Sequence, residues 1–152
     1  MKAVIVYATN SGGTYQVAQL IADQLEVNGY TVTVLNAPDA PANVFHDADL
    51  CLLGSNTWEW VKPKERLEGQ LNDQMRAYIE RVDTTSIQGQ KFALFALGDK
   101  SYTDFCAAAN HLEKFVASVN GTLVTPTLRM NHFYFDLEKN RQLVIDWATT
   151  IR

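Results

Sequence analysis

The chain has 152 residues, a formal charge of −4 and 47% hydrophobic content, which is the size of one domain with room for a sizeable core. The acidic balance argues against nucleic acid as the main partner and mildly favours a basic partner surface. No apolar run approaches the roughly 20 residues of a membrane span, residues 1–7 lack the start of a secretion signal, and Cys51 and Cys106 make no disulfide framework, so a cytoplasmic protein away from membranes is expected.

Residues 2–7 are too apolar to face water and read as a central parallel strand. Val17, Leu20, Ile21 and Leu25 then recur at helical spacing until Asn28-Gly29 stops the helix. Residues 31–35 alternate as an edge strand should. A loop rich in Pro and Ala (37–48), with room for one short helix, leads to the fully apolar residues 50–53, a third and central strand. Leu67, Leu71, Met75, Tyr78, Ile79 and Val82 mark a helix whose first turn Gly69 weakens. Residues 92–97 form a fourth strand buried on both faces, and Phe105, Ala109, Leu112, Val116 and Val119 form a helix stripe that stops at Asn120-Gly121. Residues 122–128 make a fifth strand whose Pro126 suits an edge position. Asp136 caps a last helix, with Leu143, Val144, Trp147 and Ile151 toward the core.

Five strands alternating with helices predict a single α/β domain over residues 1–152, an open doubly wound parallel sheet in three α/β/α layers. The strand order 2-1-3-4-5 puts the Thr-rich and Pro-containing strands at the edges, as their composition requires. Ligands in such sheets bind beyond the carboxyl ends of the strands where the order reverses, here between strands 1 and 3. Three loops converge there: 8–14, 54–61 and 98–104.

The first of these is Thr9-Asn10-Ser11-Gly12-Gly13-Thr14, set between a strand and a helix N-terminus. Free backbone N–H groups, a partial positive charge, hydroxyl and amide side chains and two glycines suit a phosphate. The alternative is an ordinary strand-to-helix turn with Thr14 as N-cap. The Lys-Ser/Thr pair of an NTPase loop and the G-x-G-x-x-G of a dinucleotide fold are both absent. No Lys or Arg occurs between Lys2 and Lys62, so a phosphate here would be held by neutral donors. The second loop carries Asn56-Thr57-Trp58-Glu59-Trp60, and the third carries Tyr102. Each aromatic alone can be packing. Three of them around a phosphate cradle point to a flat, phosphorylated cofactor clamped between rings.

With these pieces assembled, the chain resembles short-chain flavodoxins over essentially its whole length. The resemblance rests on the Thr9–Thr14 loop, Asn56-Thr57-Trp58, and the Gly98-Asp99-Lys100-Ser101-Tyr102-Thr103-Asp104-Phe105-Cys106 run, in that order and spacing. It implies a flavodoxin-like fold, FMN as cofactor, and single-electron transfer without substrate turnover. It further implies that Thr9, Asn10, Ser11, Gly12, Gly13 and Thr14 hold the phosphate. Trp58 would cover the inner face of the isoalloxazine, with Asn56, Thr57, Glu59 and Trp60 beside it, and Tyr102 would stack on the outer face. Amides around Leu97, Gly98 and Asp99 would meet the pyrimidine edge, with Cys106 packing nearby. The implied partners are an NAD(P)H-dependent or other flavodoxin reductase and electron-accepting enzymes, met transiently by a monomer. With no Arg or Lys among the residues assigned to the phosphate or the ring, the site should disfavour an anionic reduced ring and lower its potential.

Two departures from the family stand out. Glu59 occupies a place where many relatives have Gly, which implies a costlier peptide flip on reduction and a less stabilised neutral semiquinone. Between residues 57 and 76 the acids Glu59, Glu65, Glu68 and Asp73 are balanced by Lys62, Lys64, Arg66 and Arg76, so partner transfer should depend weakly on salt; an ordinary solvated charged loop would show the same balance. His46, His111 and His132 show no ligand spacing and carry no assigned role. A dedicated FMN-dependent activator or reductase on this fold, of the ribonucleotide reductase activator or quinone reductase type, is the competing class. It lacks support from a second substrate pocket or a nicotinamide motif. A receiver module would need acids after strand 1 and an Asp ending strand 3, where Tyr7-Ala8 and Gly54-Ser55 stand.

Overall fold

The computed structural model describes residues 1–58, 69–100 and 105–152 and the backbone of 61–62 and 65–66. Its frame is a parallel sheet of β1 (Lys2–Ala8), β2 (Thr31–Asn36), β3 (Leu50–Trp58), β7 (Lys91–Gly98), β8 (Thr122–Leu123) and β9 (Leu128–Asn131). The order is β2-β1-β3-β7, with β8 and β9 both alongside β7, which is the expected 2-1-3-4-5 with its fifth strand in two pieces. Side chains alternate across the pleat, so each central strand feeds two cores. Val4, Val6, Cys51, Leu53, Leu94 and Ala96 face one core, which includes Met75 and Tyr78 of α2 (Asp73–Arg81) and Leu112 and Val116 of α3 (Ala107–Ser118). Ala3, Ile5, Leu50, Leu52, Ala93 and Phe95 face the other, built with α1 (Gly13–Val27) and α4 (Leu137–Thr149). Burial on both faces is why these strands are unbroken apolar runs, and β2, half exposed at the edge, is not.

Several boundaries differ from the sequence expectation, each for a tertiary reason. The third strand does not stop at residue 53. It runs on through Gly54-Ser55-Asn56-Thr57-Trp58, because β1 and β7 keep pairing with it to Ser55 and Asn56. Beyond that, β6 (Gln70–Leu71) pairs antiparallel with Thr57 and Trp58. Leu71 therefore belongs to a strand and not to the helix stripe; α2 begins only after Asn72, which caps it, and Leu67 lies outside the described residues. Two short strands, β4 (Val61–Lys62) and β5 (Glu65–Arg66), pair antiparallel with each other. The fifth strand breaks between Leu123 and Leu128, where Pro126 has no N–H for a ladder and its carbonyl accepts a bond from Trp147 Nε1 at 2.8 Å. It then continues to Asn131, past the expected end. On α4, Asp136 caps as expected, but Leu143 points outward at 45% exposure while Val144 and Ile151 are buried. Among the described residues, no helix is long and apolar enough to cross a membrane.

Candidate functional site

The carboxyl ends of β1, β3 and β7 open onto one cleft of about 360 Å³, within the range of small-molecule sites. It is lined by the loop after β1 (Thr9, Asn10, Ser11, Gly13, Thr14), by Asn56, Thr57 and Trp58 of β3, by Leu97, Gly98 and Asp99, and by residues 132–135. The reversal of strand order thus places three of the expected segments together and adds a fourth that the motifs did not flag.

The first loop is built as a donor cradle. Thr9 Oγ1 accepts from the Gly12 amide at 2.9 Å, which folds the loop back on itself. Gly12, not Thr14, is the N-cap of α1; its φ of 88° is a left-handed conformation natural to glycine. The first helical bond runs from Gln16 N to Gly12 O, so the amides of Gly13, Thr14 and Tyr15 have no intrahelical acceptor. Thr14 is only 1% exposed, and among the described residues its hydroxyl has no hydrogen-bond partner. A buried orphan hydroxyl beside open amides at a helix N-terminus is what an anion with several acceptor oxygens would complete.

Opposite the cradle, Trp58 is half exposed at 48% and held by its backbone pairing with Gln70. The neighbouring polar side chains are committed to structure. Thr57 Oγ1 accepts from the Ala108 amide at 3.3 Å and so caps the first turn of α3. Asn56 Oδ1 accepts from Asn72 Nδ2 at 2.9 Å, and Asn10 Oδ1 accepts from the same nitrogen at 2.8 Å. Asn72 itself is 3% exposed; its amide donates to Ser55 Oγ and its own Oδ1 accepts from Gln74 N at the start of α2. One side chain thereby ties the first loop, the end of β3 and α2 together. The sequence reading missed it because the helix stripe was extended back through Leu71, which hid the Asn-Asp cap signal.

At the end of β7, Gly98 is required by space, since an added Cβ would lie 2.8 Å from Cys106 N and 2.9 Å from Cys106 Sγ. Cys106 is therefore not on the cleft surface but behind it. Its thiol is pushed up to about 12 by burial, with Arg129 pulling slightly the other way, so it is a neutral packing group. Cys51 is also free and buried, and burial pushes its thiol up to about 12. The roles expected for Glu59, Trp60 and Tyr102 lie outside the described residues, as does most of the charge balance read over 57–76. Within that stretch, Arg76 pairs with Asp73 at 3.2 Å.

The fourth wall, His132-Phe133-Tyr134-Phe135, had no part in the motif reading. β9 pairs with β7 so that Asn131 stands opposite Gly98, and the next residue emerges beside Asp99. His132 Nε2 lies 2.6 Å from Asp99 Oδ1, its amide donates to Gly98 O at 3.0 Å, and its backbone is left-handed at φ 46°. Tyr134 OH donates to Ser11 O at 3.0 Å and closes over the cradle, while Phe135 is 85% exposed. A run of three aromatics on a loop at the carboxyl end of a strand was the available signal. Among the described residues, no group of three His, Cys, Asp or Glu could hold a metal ion.

Compared with known proteins, the chain matches the model of the family described as Flavodoxin over residues 5–142. The flavodoxin of Maridesulfovibrio salexigens is 25% identical over 151 residues, spanning 99% of this chain and 96% of that protein. Probable flavodoxin 2 of Bacillus subtilis is 30% identical over 132 residues, 86% of this chain and 82% of its own length. Among solved structures, the flavodoxin of Streptococcus pneumonia TIGR4 superposes with a TM-score of 0.81 at 21% identity, covering 99% of this chain and 97% of the other. At that identity the likeness speaks for the fold.

Proposed function

This chain belongs to the flavodoxin family, and from that premise we propose that it shuttles single electrons between an NAD(P)H-dependent or other reductase and electron-accepting enzymes, through FMN seated in the cleft. Flavodoxins carry FMN and transfer electrons rather than turn over a substrate. The observation that carries the seating is the buried Thr14 hydroxyl, unpartnered among the described residues, beside the open amides of the first turn of α1. It fits a phosphate monoester, and the absence of a Lys or Arg between Lys2 and Lys62 fits a phosphate that is bound and not transferred.

On this reading, Thr9 to Thr14 hold the phosphate and Trp58 covers one face of the ring. The backbone of Leu97 to Asp99 meets the pyrimidine edge, with Gly98 and the buried Cys106 setting how closely that backbone can stand. The roles of Asn56 and Thr57 are indirect, through the bonds that fix β3 against α2 and α3. Glu59, Trp60 and Tyr102 keep the roles that the sequence resemblance implies. Bound FMN supplies the reversible electron acceptor, and the protein supplies its position, its shielding from water and the charges around it. The chain would work as one domain and as a monomer in a reducing cytoplasm, where two free buried thiols are at home.

The test is the visible spectrum of the purified protein with added FMN during stepwise reduction. Two resolved one-electron steps support the carrier. A single two-electron step overturns it in favour of an enzyme on the same fold, and failure to retain FMN overturns the cofactor assignment.

A further inference from the structure

His132 and Asp99 form a close pair on the wall of the cleft, 2.6 Å apart, and no motif assigned either a charge role. A carboxylate accepts hydrogen bonds only, so His132 Nε2 must carry a hydrogen to make this contact. Any further proton therefore goes to Nδ1. Two backbone bonds and one ring contact hold the residue in place. The amide of His132 donates to Gly98 O at 3.0 Å, its carbonyl accepts from Asn140 Nδ2 at 3.0 Å, and its ring meets the edge of Phe135 with centroids 4.6 Å apart. Its left-handed backbone, uncommon outside glycine, is an outlier at the lip of a ligand cavity. Among the described residues, several other charged groups on the surrounding elements have partners of their own. Lys100 places its ammonium over the Phe105 ring at 5.6 Å, Arg129 of β9 pairs with Glu113 of α3 at 3.1 Å, and Asp136 accepts from Lys139 N at the start of α4.

The pair has two charge states. With a neutral imidazole it carries −1, and with an imidazolium it carries zero. The proposed seating of FMN puts the ring edge that gains negative charge on reduction beside Leu97 to Asp99, and this inference rests on that seating. In a cleft walled by aromatics, one unit of charge changes the energy of the reduced ring far more than it would in water. Imidazole is the side chain that changes charge between pH 5 and 8.

We propose that His132 is a redox-linked proton acceptor, so that placing negative charge on the bound flavin draws one proton from solvent onto His132 and the potential of that step rises as pH falls. In the transfer, one electron passes from the reductase to the flavin and one proton passes from water to His132 Nδ1. An N–H bond forms at Nδ1 as the solvent donor's O–H bond breaks, and no other covalent bond of the protein forms or breaks. Binding linkage makes the effect reciprocal: reduction favours the imidazolium by the same factor that the imidazolium favours reduction. His132 is thus a positioning residue for charge, acting on the flavin through Asp99.

The experiment is a dithionite titration of the FMN-loaded protein between pH 5.5 and 8.5, with dithionite oxidised to sulfite as electron source. The potential of the second one-electron step is read at each pH for wild type and His132→Gln. Wild type should bind the reduced flavin about tenfold more favourably at the acid end, about 59 mV for a one-electron couple, and His132→Gln should lose this break. In parallel, the imidazole proton resonance of His132, assigned by its absence from the variant, is titrated in the oxidised and fully reduced protein. Its midpoint should move upward on reduction. Should His132→Gln fail to fold, Asp99→Asn gives the same information, since it should lift the potential at pH 8.5 toward the wild-type value at pH 5.5. An unchanged break in His132→Gln, or one imidazole midpoint in both redox states, overturns the proposal. A wild-type protein that retains no FMN overturns the cofactor assignment as well, and is recognised before any potential is read.

Discussion

Asn72→Ala tests the polar hub directly, because the Asn72 side chain joins the start of α2 to the first loop and the end of β3. Three bonds disappear with the amide. The cap on Gln74 N, 2.8 Å long, is worth about 1 kcal/mol. The bond to Asn56, which is half buried, is worth about 1 kcal/mol net. The bond to Asn10 counts toward the low end, about 0.5 kcal/mol, because Asn10 is exposed and its oxygen recovers water. The total loss is about 2.5 kcal/mol, which at 2–4 °C per kcal/mol for a domain of this size lowers Tm by about 5–10 °C. Equilibrium urea unfolding of the FMN-free protein measures it as a lower midpoint at constant m. Asn72→Asp distinguishes the cap from the bridge. It keeps a good N-cap, with a charge that suits a helix N-terminus, but turns the two donors into an acceptor facing the oxygens of Asn10 and Asn56. Its loss should match or exceed that of the alanine. A change within about 0.5 kcal/mol in Asn72→Ala, or wild-type stability in Asn72→Asp, would refute the bridge.

Thr14→Val should move stability and affinity in opposite directions. Removing a buried hydroxyl that has no partner among the described residues should stabilise the FMN-free protein by about 1 kcal/mol, while FMN binding, followed by fluorescence quenching, weakens about tenfold and riboflavin binding does not change. Equal losses for FMN and riboflavin would place the phosphate elsewhere. Gly98→Ala must push the Cys106 backbone aside, given a Cβ 2.8 Å from its nitrogen, and should cost about 1–3 kcal/mol in urea unfolding; wild-type stability would show that the turn yields freely. The thiols of Cys51 and Cys106, raised to about 12 by burial, stay protonated in the folded chain after they have ionised in the unfolded one. The folded state then holds more protons, so stability is full below about pH 8.5 and falls as pH rises toward 12. Urea midpoints at pH 7.5 and 10 measure this, and a thiol reagent at pH 8 should react only on unfolding; rapid reaction of the native protein would contradict the burial.

How much of this site could be read without coordinates depended on which interactions are local. The Thr9–Thr14 loop was legible because its chemistry is carried by consecutive residues between a strand and a helix, each with its own signature. Its position opposite Trp58 and Leu97 to Asp99 followed from strand order alone, since unbroken apolar strands must be central. Asn72 was not legible. Leu67, Leu71 and Met75 satisfy helical spacing, and what makes Leu71 a strand residue is its pairing with Thr57 across the sheet. The wall at 132–135 was visible as aromatics but had no address until the break at Pro126 and the restart at Leu128 set which residue of β9 stands beside Gly98. A different restart would have left His132 and Asp99 without their contact.

The places where this chain departs from local structural preference are concentrated at one end of the sheet. Of three non-glycine residues with left-handed backbone among those described, Asn120 follows α3, where such a conformation ordinarily ends a helix. The other two, Cys106 at 50° and His132 at 46°, flank Gly98. Left-handed residues outside glycine cost about 1–3 kcal/mol each unless the surroundings over-determine them, and here they are over-determined. Cys106 is fixed by contacts from its thiol to the carbonyls of Ala96 and Met130, with its helix capped from outside by Thr57. His132 is fixed by Gly98, Asn140 and Asp99. Thr14 adds a buried hydroxyl, without a partner among the described residues, a few residues from the Ser11 carbonyl that Tyr134 holds. The common product of these arrangements is a cleft whose glycine, amides and His132–Asp99 pair are set before any cofactor arrives, which lowers the ordering cost of binding.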